Sequence, residues 1–189
     1  VAEQLSMFDI KTPKYSVLDF ETGGLDEKVC GLASVGVIRL DENLQEVDRD
    51  YFLMYEEDKV YEQGALDVNQ LTLAQLQVEG LRPDKFIPRL HELVDCLIMV
   101  NHNSAFDCKW LNARGWSIQK TIDTMVLSLA LYPYQKAKQT IAAQREGIVV
   151  TNAHNALADV EVCAELLRKY ALKKADALTP KPINWNRWK

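Results

Sequence analysis

Long apolar runs are missing from this chain, and histidine and cysteine are scarce. No stretch approaches the about 18–20 apolar residues that a membrane-spanning helix needs. With 48% hydrophobic and 26% charged residues, the sequence reads as a soluble globular domain without a membrane partner. Val1 to Ile10 holds two acids and no basic residue, so no secretory leader is expected there. The first residue is Val rather than Met, as in a processed chain or an excised domain. The four cysteines, Cys30, Cys96, Cys108 and Cys163, lie apart within apolar segments. No Cys-x-x-Cys pair suggests zinc, so buried free thiols in a reducing cytoplasm are expected. No internal repeat or low-complexity segment is present. A length of 189 residues fits one domain with a single well-buried core.

The net charge of −5 argues at first against a nucleic-acid partner. The charge is unevenly spread: residues 168–189 carry seven basic residues against the single acid Asp176. A metal-dependent nuclease can be acidic overall, because divalent cations and a local basic strip handle phosphates. The same strip also reads as a solvated terminal tail.

What the chain does have is Leu18 to Leu25, LDFETGGL. Val17, Leu18 and Phe20 give a buried strand, and Thr22-Gly23-Gly24 breaks it. Asp19 and Glu21 are two apart, so on a strand both carboxylates point to one side. At about 4 Å and an effective dielectric near 20 such a pair repels by roughly 4 kcal/mol. Either one group takes up a proton or a cation sits between them. A solvated turn at a strand end is the plain alternative, and the remaining motifs decide.

Residues 14–54 read as a three-stranded antiparallel meander, with strands over 14–21, 29–40 and 47–54. Residues 55–83 are less regular, with a short helix around Leu71–Val78. A helix from Pro83 to about Asp95 carries Phe86, Ile87, Leu90, Leu93 and Val94 on one face, with His91 at its surface. Leu97 to Val100 is a short strand. Asn103 or Ser104 then caps a helix from Ala105 to about Arg114, with Asp107 in its first turn, where the helix dipole favours an acid, and Phe106 able to pack on Trp110. A further helix runs from Thr124 to about Leu131, and a short one spans 135–146 with Lys136, Lys138 and Arg145. Asn155 caps a last helix whose buried face is Ala156, Val160, Cys163, Ala164, Leu167 and Ala171, with Asp159 in its second turn. On one helix His154 and Asp159 would stand about 140° apart, so for the two to share a site His154 must come from the preceding loop or the frayed helix start. Residues 173–189 read as a basic tail in which Trp185 to Trp188 is not helical. Its tryptophans are expected to pack back on the domain or dock on a protein partner. Strands followed by mixed strand–helix units imply an α/β sheet covered on both faces.

In order, the chain presents Asp19-x-Glu21, then Asn103-x-x-Phe106-Asp107, then His154-x4-Asp159. The segments DFETGGL, HNSAFD and HNALADVEVCAELL together resemble the DEDDh branch of the 3′–5′ exonuclease superfamily. That group includes proofreading subunits of replicative polymerases, RNase T and oligoribonuclease. The resemblance covers residues 14–171, leaving 1–172 as an exonuclease domain and 173–189 as the tail. It implies a ribonuclease H-like α/β fold with a mixed five-stranded sheet. It also implies that Asp19, Glu21, Asp107 and Asp159 hold two Mg²⁺ or Mn²⁺ ions, for which carboxylate oxygens are suited. In the resemblance one ion activates the attacking water, the other stabilises the leaving 3′-oxygen, and His154 is the general base. Thr22, Gly23, Gly24 and Leu25 would line the terminal-nucleotide pocket. Leu25 and Phe106 would touch bases, Asn103 would support substrate or motif geometry, and His102 would contact substrate. The chain departs from the family in two places. The segment between the second and third motifs is short, and GALDVNQL lacks the usual His-Gly-Ile, with Asp67 and Asn69 in its place.

The function implied is metal-dependent removal of 5′-mononucleotides from single-stranded 3′ ends, with DNA favoured. The alternatives are an exoribonuclease for RNA trimming or oligoribonucleotide disposal, and a scaffold subunit that keeps the fold without chemistry.

Overall fold

The computed structural model describes residues 12–150 and 155–188. Three strands open it as an antiparallel meander: β1 (Tyr15–Thr22), β2 (Leu32–Leu40) and β3 (Glu46–Leu53). Two short helices follow, α1 (Gln63–Asn69) and α2 (Leu73–Glu79), and then α3 (Pro83–Val94). Parallel pairing begins with β4 (Ile98–Asn101) beside β1, and α4 (Ser104–Asn112) carries the chain over to β5 (Lys120–Asp123). Three helices complete the body: α5 (Thr124–Leu131), α6 (Gln139–Arg145) and α7 (Ala156–Lys173). A two-residue strand, β6 (Lys181–Pro182), pairs antiparallel with β5, giving the order β3-β2-β1-β4-β5-β6.

The sheet divides the core in two, as the period-2 alternation of its strands requires. Tyr15 and Val17 of β1 pack with Ile38, Leu40 and the buried faces of α5, α6 and α7. Leu18 and Phe20 point the other way, against Phe86, Leu90 and Leu93 of α3 and Trp110 of α4. The expected buried face of α7 is the one observed, with Ala171 at its margin. His91 is exposed on α3 and stacks on Trp116, with ring centroids 4.2 Å apart.

Several elements differ from the sequence reading. The mixed sheet has a sixth strand, because residues 181–182 clip onto the β5 edge and Ile183 N donates to Gln119 O. Residues 120–123 form a strand of their own, held by β4 on one side, and residues 63–69 form a helix. Trp185–Trp188 is a 3₁₀ turn against α4, so the tail does pack back, with Trp185 40% exposed. The short helix begins at Gln139, leaving 133–138 as loop. Cys96 is exposed while Cys30, Cys108 and Cys163 are buried; all four are free thiols. Its exposure follows from a left-handed turn (φ 63°) between α3 and β4. Among the described residues no helix is long and apolar enough to cross a membrane.

Candidate active site at the ends of the parallel strands

In this sheet β1 has β2 on one side and β4 on the other, so the chain order reverses at β1. Crevices at such points, beyond the carboxyl ends of parallel strands, are where open α/β sheets bind ligands. Here the pairing between β1 and β4 ends early. β1 and β4 are in register only from Tyr15 to Val17. Beyond that, side chains satisfy the freed backbone groups: Asn101 Nδ2 donates to Leu18 O (2.7 Å), and Phe20 N donates to Asp107 Oδ1 (3.1 Å). The Phe20 bond brings the Asp107 carboxylate to the strand end from the first turn of α4.

Asp19 and Glu21 share the face of Tyr15 and Val17, the face that α7 covers. Asn155 caps α7 by accepting from Ala158 N (3.2 Å), as the sequence suggested, and Asp159 falls in the first turn rather than the second. The close approach of α7 depends on Gly36, which pairs with Asp19 across β1 and β2. A Cβ there would meet Ala156 O at 2.4 Å. Asp19, Glu21 and Asp159 consequently offer oxygens that all lie within 4.8 Å of one another. Gly36→Ala is expected to push the start of α7 away and to raise the Mg²⁺ concentration for half-maximal activity about tenfold. Relief of such a clash costs about 1–3 kcal/mol, which a thermal melt alongside the Mg²⁺ titration would register.

The electrostatics of this cluster are unfavourable without a cation. Burial, then the charges of Asp107, Glu21 and Asp159, hold the Asp19 carboxyl well above the ordinary carboxylate range. Burial and Asp159 push Glu21 up to about 7. Asp107 is raised by burial too, against the opposing hydrogen bonds from Phe20 N and its own backbone N–H. Burial also raises the Cys108 and Cys163 thiols, which therefore stay protonated and apolar beside the site. An all-oxygen, strongly anionic donor set fits hard divalent cations such as Mg²⁺ and Mn²⁺.

Of the other residues singled out in the sequence, His154 lies outside the described residues. Thr22 is buried, donates from Oγ1 to Gly24 O (2.6 Å) and accepts at its carbonyl from Asn69 Nδ2 (2.9 Å). Asn69, one of the two residues standing in for His-Gly-Ile, thus ties α1 to the strand end. Gly23 gives its N–H to Gly31 O and its carbonyl to Glu62 N. Gly24 lies where a Cβ would meet Cys30 Sγ at 2.5 Å. Leu25 is 74% exposed, an apolar side chain facing solvent. Phe106 meets Trp110 edge-on at 6.3 Å, and Lys109 Nζ lies 5.2 Å over the Phe106 ring while bonding Leu25 O. Both His102 ring nitrogens have partners within the chain, Thr124 Oγ1 (2.9 Å) and Ala137 O (2.8 Å). Asn103 adopts a left-handed conformation (φ 79°), and its Oδ1 is buried without a hydrogen-bond partner among the described residues.

Asn103 stands at the N-cap position of α4, as the sequence suggested, but the hydrogen bonds that close the helix start come from elsewhere. Neither Asn103 nor Ser104 closes the helix start with its side chain. Asp123 does so from the end of β5, accepting from Asn103 N (3.0 Å) and Ser104 N (3.1 Å). The same carboxylate caps α5 through Met125 N (2.9 Å) and Val126 N (3.3 Å). An Asp immediately before a helix is a cap signal and could have pointed to the α5 role; its reach to α4 could not be read locally. Lys109 and Asn69 were likewise missed in these roles.

A mixed sheet with clustered carboxylates at its switch point is the arrangement of a ribonuclease H-like phosphodiester hydrolase. Residues 16–167 match the exonuclease family, and the chain belongs to it, as a 3′–5′ exonuclease-type domain of the DEDD superfamily. The PolC-type DNA polymerase III of Clostridium perfringens is 31% identical over 169 residues, which cover 85% of this chain and 11% of that protein. The chain is thus a small fraction of the length of its PolC-type relatives. The epsilon subunit of DNA polymerase III from Treponema pallidum is 25% identical over 162 residues, covering 80% of this chain and 74% of the subunit. In fold, the chain resembles E. coli exonuclease I in complex with a dA16 oligonucleotide, with a TM-score of 0.75 at 19% identity over 88% of this chain and 42% of that one.

Proposed function

We propose that this chain hydrolyses single-stranded nucleic acid from the 3′ end, releasing 5′-mononucleotides, with DNA preferred to RNA. The observation that carries the reading is the convergence of Asp19, Glu21 and Asp159, with Asp107 beside them. Asp19, Glu21, Asp107 and Asp159 would hold two Mg²⁺ or Mn²⁺ ions. Bound there, such ions neutralise the phosphate and lower the pKa of the attacking water. His154, of the histidine branch, would serve as the general base. Gly23 and Gly24 keep the backbone low beneath the terminal nucleotide, with Thr22 at the pocket floor. Leu25 and Phe106 offer apolar surfaces to bases, and His102 and Asn103 complete the wall. The preference for DNA is supported by the relatives named as a PolC-type DNA polymerase III and as a DNA polymerase III epsilon subunit. The catalytic unit is residues 1–172, acting in the cytoplasm. The basic segment 173–189 anchors through β6 and leaves Trp185 toward a protein partner.

The test uses 5′-labelled DNA and RNA strands of one sequence with Mg²⁺, Mn²⁺ or EDTA. A ladder shortening from the 3′ end is expected with either metal and none with EDTA. His154→Ala is expected to slow it by about 10²–10⁴-fold. Faster cleavage of RNA would favour the exoribonuclease reading. Folded protein that cuts neither strand with any metal would leave a scaffold subunit as the better account.

A further inference from the structure

The loop between α5 and α6 is built as a platform beside the carboxylates. Two of its carbonyls, and the first residue of α6 that follows it, are bonded to the body of the protein. Lys136 O accepts from Arg145 Nη2 (2.6 Å), Ala137 O is bonded by His102 Nε2 (2.8 Å), and Gln139 Nε2 donates to Asp159 O (2.7 Å). The two latter anchors are the neighbour of Asn103 and a carboxylate residue of the site itself. Arg145 also lies 4.6 Å over the Tyr132 ring, closing the base of the loop. Between these anchors Tyr134 is 100% exposed. Lys136 and Lys138 are exposed on either side of buried Ala137, and neither forms an ion pair among the described residues. A solvent-facing aromatic ring with two ammonium groups that form no ion pair among the described residues, on a loop tied down at Lys136 and Ala137, has the chemistry to recognise an unpaired base and its flanking phosphates.

We propose that residues 134–138 grip the single strand upstream of its 3′-terminal nucleotide, Tyr134 stacking on a base and Lys136 and Lys138 meeting phosphates. The inference rests on the reading of the carboxylates as the hydrolytic site. It adds a contact from the segment tied to Asp159 to those proposed for Leu25 and Phe106. Stacking and phosphate contact do not read the sugar, so DNA and RNA strands are gripped alike, whereas a duplex keeps its base faces covered.

The test measures fluorescence anisotropy of labelled dT12 and rU12 with the whole chain in Ca²⁺, across a salt series. Tyr134→Ala is expected to weaken both strands about tenfold. Lys136→Ala combined with Lys138→Ala is expected to reduce the slope of log affinity against log salt by about 1.4. In turnover, the ratio of kcat/KM on dT12 to that on the dinucleotide TpT is expected to fall about tenfold in either variant. Unchanged affinity and slope would overturn the proposal, as would an equal loss on dT12 and TpT, which marks a structural role. If wild-type protein cuts neither substrate while the variants still lose dT12, the hydrolytic reading fails and the strand-gripping loop stands.

Discussion

Asp159→Asn is expected to slow hydrolysis by on the order of 10³-fold or more while raising the melting temperature of the metal-free protein. The two effects have one cause. Asp159 adds its charge to both Asp19 and Glu21. Without a cation this repulsion is stored in the fold, and an uncharged side chain of the same shape relieves it. With a cation the same charge would be a ligand on the proposed reading, and its loss would remove several kcal/mol of transition-state stabilisation. The pH dependence has a definite sign. Glu21 rises from 4.5 to about 7 on folding. Its protonated form therefore favours the folded state, fully below pH 4.5, and that benefit is lost as the pH climbs through about 7. Metal-free wild-type protein should lose about 3 kcal/mol from Glu21 alone between those limits. Saturating Mg²⁺ should flatten this limb, and Asp159→Asn should move it to lower pH. Thermal melts from pH 4.5 to 8, with and without Mg²⁺, provide the check. A variant less stable than wild type without metal at pH 8 would contradict the account.

Arg114→Ala is expected to cost about 3–5 kcal/mol of stability, the usual penalty for leaving one half of a buried ion pair alone. Arg114 and Glu56 are 7% and 8% exposed at their side chains and meet through Arg114 Nε (3.1 Å) and Nη2. Glu56 Oε2 also accepts from Leu32 N (3.0 Å), where β2 begins. Close by, the Tyr61 hydroxyl accepts from Glu56 N (2.9 Å) and donates to Leu32 O (3.0 Å), and the ring lies against Gly23 and Gly31. The pair thus joins the turn after α4 to the start of β2. For a chain of this size the melting temperature should fall by roughly 6–20 °C. Replacing both partners by apolar residues, Glu56→Met with Arg114→Leu, should recover most of that loss. A single variant that melts with wild type would show that the pair contributes little.

Much of this was legible in local pattern. Alternation along residues 14–21 placed Asp19 and Glu21 on one face, because strand side chains repeat every two residues. Helical spacing identified α3 and α7, and Asn155 marked the start of α7 through its side-chain cap. The meander followed from three β-rich runs separated by short turns. These features depend on neighbours a few residues away, which a sequence displays directly.

Other features depend on residues far apart. Lys120–Asp123 is too short to declare itself and becomes a strand because Val100 and Asn101 lie beside it. Asp123 serves a helix that begins 19 residues earlier, as Ser104 N shows. Gly36 reads as one more small residue in a strand until Ala156 O is found against it. By itself the sequence determined the elements carrying the acids and the side of β1 on which two of them lie. How close Asp159 comes, which side chains replace the lost β1–β4 pairing and how far burial drives the carboxylates upward depend on contacts between distant segments. Periodicity and capping are set by local backbone geometry, whereas proximity and desolvation arise only when distant segments exclude water from the same place.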